Sequence, residues 1–200
     1  MIHADSRFSE AVAKKVGELE EATDAEVVVV AAERSGAYAD LAQAIGGLTA
    51  LLTLGVLVLL PWSVHGVMVV LDLALVWGVV TWLVSGHRVL ARVAGEKRRH
   101  AQVRRAAAAE FHLEAVHATP QRTGLLVYVS AWEGLVELIP DVGLEARIPR
   151  GRWAEASGKL TTESLEGFLA GLDAVGSVLA EHVPNTGARE VRLDDAPRIR

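Results

Sequence analysis

The sequence predicts an α/β domain, a small α/β/α sandwich with a mixed sheet of about three to four strands, interrupted by a two-helix transmembrane hairpin. Three observations favour this fold class. An apolar block lies in the middle of the chain, short β-branched runs occur on both sides of it, and amphipathic helical patterns flank those runs. Because one strand before the block cannot form a sheet alone, the two flanking segments are expected to complete a single domain. The predicted divisions are residues 1–40 and 86–185 for the two parts of this domain, 41–85 for the hairpin and 186–200 for a polar tail.

Composition narrows the functional class. The chain has 200 residues, a mean hydropathy of +0.29 and a net charge of -5. A negative net charge argues against a general nucleic-acid binder, so no nucleic-acid partner is expected. The sequence contains no cysteine, which excludes disulfides, thiol catalysis and thiolate metal ligands. The first residues also lack the apolar stretch of a secretory signal.

The segment before the apolar block predicts one helix and one strand. Residues 8–21 place Phe8, Val12 and Val16 on one face at helical spacing. The continuous valine run that follows, about residues 26–32, is short and β-branched, as in a strand that is buried on both faces.

The apolar block itself predicts two membrane-spanning helices, residues 41–60 and 64–84. The first run has no Asp, Glu, Lys or Arg and the second has only Asp72. About 20 apolar residues are enough to cross about 30 Å of hydrocarbon, and Pro61 helps to end the first helix. The alternative is a buried helical hairpin in a soluble core, but a domain of this size cannot cover two such helices.

Small residues recur every four positions in both predicted spans, as they do where membrane helices pack closely. They are Ala42, Gly46 and Ala50 in the first span and Ala74 and Gly78 in the second. The alternative is that Ala and Gly are simply frequent here.

Basic residues near the ends of the spans predict the orientation. The turn at 61–65 has no Lys or Arg, whereas a basic cluster follows the second span. Both termini and the globular domain are therefore expected in the cytoplasm, at the inner membrane of the cell. The same cluster could also hold anionic lipid headgroups. Its members are Arg88, Arg92, Lys97, Arg98, Arg99, Arg104 and Arg105.

Asp72 is a candidate functional residue because an intramembrane carboxylate is costly. Thr53 lies at a matching depth in the first span, within reach of a hydrogen bond to Asp72. The alternative is an Asp72 that only stabilises the hairpin or an oligomer.

The segment after the apolar block predicts a long helix at 88–118 and strands at 124–130 and 135–139. A short helix at 151–160 and an amphipathic helix at 162–181 follow, and the tail from Pro184 is expected to be loosely ordered. A strand–helix–strand connection makes the first two strands parallel, and the third strand returns antiparallel.

Several stretches together resemble the TPM domain, a family named for thylakoid-lumen, photosystem-repair and receptor-modulating members, in its bacterial membrane-protein branch. They are ATDAEVVVVAAE (22–33), RTGLLVYVS (122–130), VELIPDVGLE (136–145), Trp153, and the closing helix that ends in LAEHVP (179–184). The resemblance implies a small α/β sandwich with helices on both faces of a mixed sheet. It also implies that some relatives are phosphatase-like and that some bind calcium through acidic residues.

Two features depart from the family pattern. Many bacterial members are held outside the cytoplasm, whereas the basic cluster here predicts the opposite side. The chain also has Ala131, Trp132 and Glu133 where the family often has an acidic–basic pair. Both departures weaken the transfer of a metal or phosphatase site.

The predicted topology places the starts of strands one and two and the end of strand three on one edge. That edge carries Asp24, Glu26, Arg122, Thr123 and Asp141. The carboxylates of Asp24, Glu26 and Asp141 could hold Ca²⁺, which prefers oxygen ligands. The alternative is an Arg122–carboxylate ion pair that closes the end of the sheet. Ligands of open α/β sheets usually bind at the carboxyl ends of the strands, which counts against this edge.

Other sequence signals of chemistry are weak. His112 and His117 are expected to diverge on a helix, and Glu114 with His117 forms a single Glu-x-x-His pair. The sequence has no phosphate loop, nucleotide fingerprint, nucleophile elbow or zinc signature.

The predicted function is a membrane-anchored TPM-like accessory or protein-interaction module without catalysis, at the inner face of the membrane. A membrane-protein partner or a homo-oligomer is expected alongside the lipid bilayer. One alternative is a metal-dependent, phosphatase-like hydrolase that uses the acidic edge. Another alternative is a small transport component that uses Asp72.

Overall fold

The computed structural model describes residues 5–59, 65–86, 89–187 and 196–200. The chain forms two compact units. The α/β unit consists of residues 1–35 and 100–200, and the apolar unit consists of residues 36–99. The elements are α1 Ser6–Ala22, β1 Glu26–Ala32, α2 Ala39–Leu59, α3 Gly66–Ser85, α4 Val89–Val93, α5 Glu96–Leu113, a 3-10 turn Val116–Ala118, β2 Gly124–Ser130, β3 Leu135–Pro140, α6 Val142–Arg147, α7 Arg150–Ser157, α8 Leu165–His182 and β4 Arg198–Ile199.

The sheet has the strand order β3-β2-β1-β4. Strands β1 and β2 are parallel from Glu26 opposite Gly124 to Ala32 opposite Ser130. Strand β3 is antiparallel to β2, and β4 is parallel to β1. Since β1 precedes the apolar unit and β2 follows it, the two flanking segments build one mixed sheet, as predicted.

Both faces of the sheet are covered by helices, which confirms the α/β/α sandwich. In β1, Val27 and Val29 pack into one core with side chains of α1 and α8, such as Phe8 and Leu172. Val28 and Val30 point into the opposite core, formed mainly with α5 and the 3-10 turn. Every residue of β1 is buried, which explains why its sequence is continuously apolar rather than alternating.

The predicted single helix at 88–118 is wrong. The structure has α4 and then α5, separated at Gly95, whose φ of 82° is the left-handed conformation that glycine adopts readily. Helix α5 ends at Leu113, and Ala115, with a φ of 52°, turns the chain into the 3-10 turn. Helical pattern alone did not reveal these breaks, because the residues around them are good helix formers. Arg88 lies outside the described residues.

The prediction of a loosely ordered tail is wrong for the last residues of the chain. The backbone N–H of Arg200 donates to Ala31 O at 2.9 Å, and that of Glu33 donates to Arg200 O at 3.0 Å. Arg198 and Arg200 reach Glu114 of the segment after α5 at 2.9 and 2.6 Å. Hydrogen bonds to β1 and these ion pairs hold β4 at the edge of the sheet.

In the apolar unit, helices α2 and α3 pack against each other. Gly46 lies at their contact, where an added Cβ would lie 2.9 Å from the Trp77 carbonyl oxygen, whereas Gly78 has open space beside it. Close packing through a small residue therefore holds for Gly46 and not for Gly78.

Helices α2 and α3 are long and apolar enough to cross a membrane. Their mean hydropathies are 1.9 and 2.3, and only 11% and 0% of the residues in these windows are buried. The alternative of a buried hairpin in a soluble core does not fit this exposure, since a core helix is mostly covered by protein.

Candidate functional site

The predicted acidic edge exists as a backbone arrangement. The N–H of Asp141, just after β3, donates to Gly124 O at 2.8 Å, and the N–H of Glu26 donates to Thr123 O at 3.2 Å. The starts of β1 and β2 and the end of β3 therefore meet, as the topology predicted.

Asp141 is used structurally at this edge. Its carboxylate accepts hydrogen bonds from Nε and Nη2 of Arg122 at 2.7 and 2.9 Å. The same side chain accepts the Val142 N–H at 2.8 Å and so caps α6, a helix that the sequence analysis missed. The structure thus shows the alternative interpretation of this edge, an arginine–carboxylate pair that closes the end of the sheet.

The Asp24 carboxylate is also hydrogen-bonded, in this case to the segment after α8. Its two carboxylate oxygens accept the N–H and the hydroxyl of Thr186 at 3.0 and 2.5 Å. Glu26 is buried in the first position of β1. Across the described ranges, no group of three or more His, Cys, Asp or Glu side chains is arranged to hold a metal ion. The structure therefore does not bring Asp24, Glu26 and Asp141 together as a calcium ligand set.

A second polar cluster, which the sequence analysis missed, lies at the carboxyl ends of β1 and β2. We call Ser35, Tyr128, Ser130 and Glu133 the serine–glutamate network. The hydroxyl of Ser35 lies 3.0 Å from the Tyr128 hydroxyl and donates to Ser130 Oγ at 2.6 Å. Ser130 Oγ donates to Glu133 Oε2 at 2.5 Å, and the Ser35 N–H donates to the same oxygen at 3.2 Å. Burial raises the pKa of the Tyr128 phenol, against the lowering effect of its hydrogen bond with Ser35.

This network and its neighbours connect the β2–β3 turn to residues 33–35. The indole N–H of Trp132 donates to Glu33 Oε1 at 3.3 Å, and the guanidinium of Arg34 lies 5.3 Å from the centre of the Trp132 ring. The available sequence signal was Glu133, a carboxylate in a turn between two strands, but its partner Ser35 lies far away in the sequence.

His112 and His117 come together, contrary to the prediction that they diverge. Their ring centres are 5.2 Å apart. The break at Ala115 is the reason, because it ends the helical spacing on which the prediction rested. Phe111 lies against both rings.

The α/β unit has a cavity of about 310 Å³ beside α6 and α7. Its lining combines apolar side chains with two charged ones: Val142, Glu145, Ala146, Ile148, Arg150 and Trp153. Val142 is 57% exposed. Within the described part of the chain, the side chains of Glu145 and Arg150 form no hydrogen bond or ion pair. The cavity therefore combines an apolar wall with two opposite charges that have no partner in the described part of the chain.

In the apolar unit, the predicted bond between Asp72 and Thr53 is not formed. The Thr53 hydroxyl donates to the Thr49 carbonyl of its own helix at 2.9 Å, as threonines in helices commonly do. Asp72 is exposed on α3 and has no hydrogen bond or ion pair with any residue that the structure describes.

The residues of the basic cluster differ in whether they form ion pairs. Arg98 holds Asp40, in the first turn of α2, through two bonds of 2.7 and 2.8 Å. Arg92 and Lys97 are exposed, and neither has an ion pair among the described residues. Arg99 is half-buried.

The comparisons with known proteins establish the fold alone. Neither a known protein family nor a curated protein matches the chain. The NMR structure of BA42 protein from the psychrophilic bacterium Bizionia argentinensis is similar, with a TM-score of 0.58 and 12% sequence identity. The alignment covers 98% of this chain and 94% of that chain. The resemblance to TPM domains stays a prediction.

Proposed function

We propose that this protein is a membrane-anchored, TPM-like interaction module, held at the inner face of the membrane by α2 and α3. One observation carries the proposal: α2 and α3 are each long enough to span the bilayer, and only 11% and 0% of the residues in their most apolar stretches are buried by protein. Lipid is the environment that stabilises such surfaces, since burial of apolar area is the main favourable term.

The proposed orientation places the α/β unit and both termini in the cytoplasm. Support comes from Arg92 and Lys97, which follow α3 and lie exposed without an ion pair in the described part of the chain. Positive charge next to a span favours the cytoplasmic side, and both groups are free to contact anionic headgroups there.

The proposed interaction surface is the cavity beside α6 and α7. A protein segment with an apolar side chain and charges opposite to Glu145 and Arg150 would complement its lining. Val142 already exposes apolar area at this site.

Membrane insertion and orientation are tested by labelling single cysteines, which is straightforward because the sequence has none. We expect the full chain in the alkali-resistant membrane fraction. In intact cells, a His65→Cys variant should react with an impermeant maleimide, whereas Val142→Cys should react only after the membrane is opened. Recovery of the chain in the soluble fraction, or labelling of Val142→Cys in intact cells, would contradict the proposal.

The interaction surface is tested by cross-linking and capture of the intact protein in detergent, comparing Val142→Glu with Leu113→Glu. Both positions are apolar and exposed on the α/β unit, Leu113 at 73% and Val142 at 57%. We expect a co-purifying protein to be lost from Val142→Glu and kept by Leu113→Glu. Equal capture by both variants would remove the cavity from the proposal.

A further inference from the structure

Helix α4, the short helix that follows the second apolar helix, has two different faces. Leu90 and Ala91 are buried on one side. Val89 and Val93, one helical turn apart, are 57% and 60% exposed on the other side. Arg92 lies beside the two valines and is exposed as well. The exposed face therefore combines apolar area with a positive charge, which is the pattern of a helix that lies in a membrane interface.

The contacts of the buried face fix the depth of α4 relative to the two spans. Leu90 and Ala91 pack in one cluster with Ala42, in the first turn of α2, and Val84, in the last turn of α3. Helix α3 has 20 residues, which gives about 30 Å of helix and matches the thickness of the hydrocarbon layer. Its last turn therefore lies at the boundary between hydrocarbon and headgroups, and α4 lies at the same depth.

This depth decides what covers Val89 and Val93. The headgroup layer extends about 5–8 Å beyond the hydrocarbon on each side, and an interfacial helix buries its apolar face about 5–10 Å into that boundary. A soluble partner protein would have to enter the headgroup layer to reach the two valines. Lipid is already present at this level, because it surrounds the last turn of α3.

The positive charges near α4 differ in whether they can bind lipid. Arg98 binds Asp40 through two bonds of 2.7 and 2.8 Å, and its guanidinium lies 5.7 Å from the centre of the Tyr38 ring. Arg92 and Lys97 are exposed and form no ion pair with any residue that the structure describes. These two side chains are therefore the ones that can contact phosphate groups at this depth.

We propose that α4 is an interfacial helix that lies in the headgroup layer and binds anionic phospholipid. The inference rests on the proposed membrane insertion and names the class of lipid that the chain recognises. Val89 and Val93 enter the acyl boundary, while Arg92 and Lys97 contact lipid phosphate groups. Glu96 is the one carboxylate between the two cations, so this segment keeps a net positive charge.

The depth of α4 is tested by electron paramagnetic resonance of the full chain in liposomes of phosphatidylcholine and phosphatidylglycerol that contain no other protein. A nitroxide is attached to Val93→Cys and, as the aqueous reference, to Leu113→Cys, which replaces a residue that is 73% exposed on the α/β unit. At Val93→Cys we expect roughly threefold fewer collisions with a water-soluble nickel chelate, and more collisions with oxygen, which concentrates in lipid.

Two results of this measurement would contradict the inference. Nickel collisions at Val93→Cys that equal those at Leu113→Cys would place α4 in water. Protection of Val93→Cys from both nickel and oxygen would show that protein, and not lipid, covers this face.

The preference for anionic lipid is tested by native mass spectrometry of the full chain in neutral detergent, with phosphatidylglycerol or phosphatidylcholine added. We expect the parent to bind phosphatidylglycerol roughly threefold or more tightly than phosphatidylcholine. A double variant with Arg92→Gln and Lys97→Gln should lose most of this preference. The matched control, Arg7→Gln with Arg147→Gln, removes two exposed cations of the α/β unit and should keep it. A parent without the preference, or a double variant that keeps it, would overturn the inference.

The two proposals fail in different ways. A chain that is absent from the membrane fraction contradicts the proposed function. A chain that stays in the membrane fraction but holds Val93→Cys in water contradicts only the inference about α4.

Discussion

Asp141 connects three parts of the α/β unit. Its backbone N–H pairs with β2, its carboxylate holds Arg122, and the same carboxylate caps α6. The carboxylate is almost fully buried, whereas the side chain of Arg122 is 49% exposed. Removal of Arg122 would leave this buried carboxylate without its counter-charge, whereas removal of Asp141 would leave an arginine that water can solvate.

Replacing Asp141 with Ala should destabilise the α/β unit by about 1–3 kcal/mol, since both the helix cap and the ion pair are lost. Arg122→Ala should also destabilise the unit, because it leaves the buried Asp141 carboxylate without its guanidinium partner while the cap of α6 remains. Thermal unfolding in detergent measures both values. Glu145→Ala, in the same helix but without a partner in the described residues, is the control and should stay within about 0.5 kcal/mol of the parent.

At the other end of the sheet, the buried phenol of Tyr128 is expected to make the stability of the fold depend on pH. Its pKa is raised above 10.0 mainly by burial, with Glu110 and Glu133 acting in the same direction and the bond to Ser35 opposing them. A raised pKa in the folded state gives stability that is complete below the unfolded pKa and is lost as the pH rises through the folded value. Stability should therefore fall above about pH 10.

The chain has two tyrosines, so Tyr38→Phe isolates the Tyr128 signal. Alkaline absorbance titration of this variant should give a midpoint above 10.0. In unfolding experiments, Tyr128→Phe should flatten the loss of stability above this pH. A midpoint at or below the ordinary tyrosine value would show that the phenol is not buried in solution.

Single residues show where sequence reasoning succeeds and where it stops. Arg122 and Asp141 could be placed at one edge because parallel and antiparallel strands fix which ends meet. The sequence alone could not decide between an Arg122–Asp141 ion pair and a metal site, because both arrangements use the same residue types. Ser35 and Glu133 gave no local pattern, since their contact depends on the finished sheet.

At the level of elements, a strand was predicted correctly where its sequence pattern was long enough to be recognised. Strands β1 and β2 were predicted with their observed bounds because buried seven-residue runs are distinctive. Strand β4 has two residues and so has no periodicity to detect. Its position depends on backbone bonds to β1 and on the ion pairs of Arg198 and Arg200 with α5 and the residue just after it.

The Glu114 carboxylate is the side chain that contacts both arginines of the chain end, since it receives Arg198 and Arg200. Glu114→Gln should weaken these charge-assisted bonds and speed amide exchange at Glu33 and Arg200, which donate between β1 and the end of the chain. Hydrogen-exchange mass spectrometry measures this, with the exposed residue Glu10 as a Glu→Gln control in α1. Unchanged exchange in Glu114→Gln would assign the edge contact to the backbone bonds alone.

At the scale of the whole molecule, both cores of the sandwich belong to residues 1–35 and 100–200. A chain in which residues 37–95 are replaced by a flexible glycine–serine linker of about 20 residues should therefore fold without lipid. We expect a soluble protein with mixed α/β circular dichroism and cooperative unfolding. An unfolded or aggregated product would show that the apolar unit is required for the sheet.

The separation of β1 from β2 along the chain has a consequence for biosynthesis. Glu26 reaches its partner Gly124 only after both apolar helices have been made. At about 5–20 residues per second, translation of the intervening segment lasts on the order of 5–20 s. Through this interval Val27–Val30, an aggregation-prone run, is without its neighbouring strand. With the proposed membrane insertion, both apolar helices are therefore complete before the sheet closes, and a nascent chain that stalls between the two steps exposes Val27–Val30.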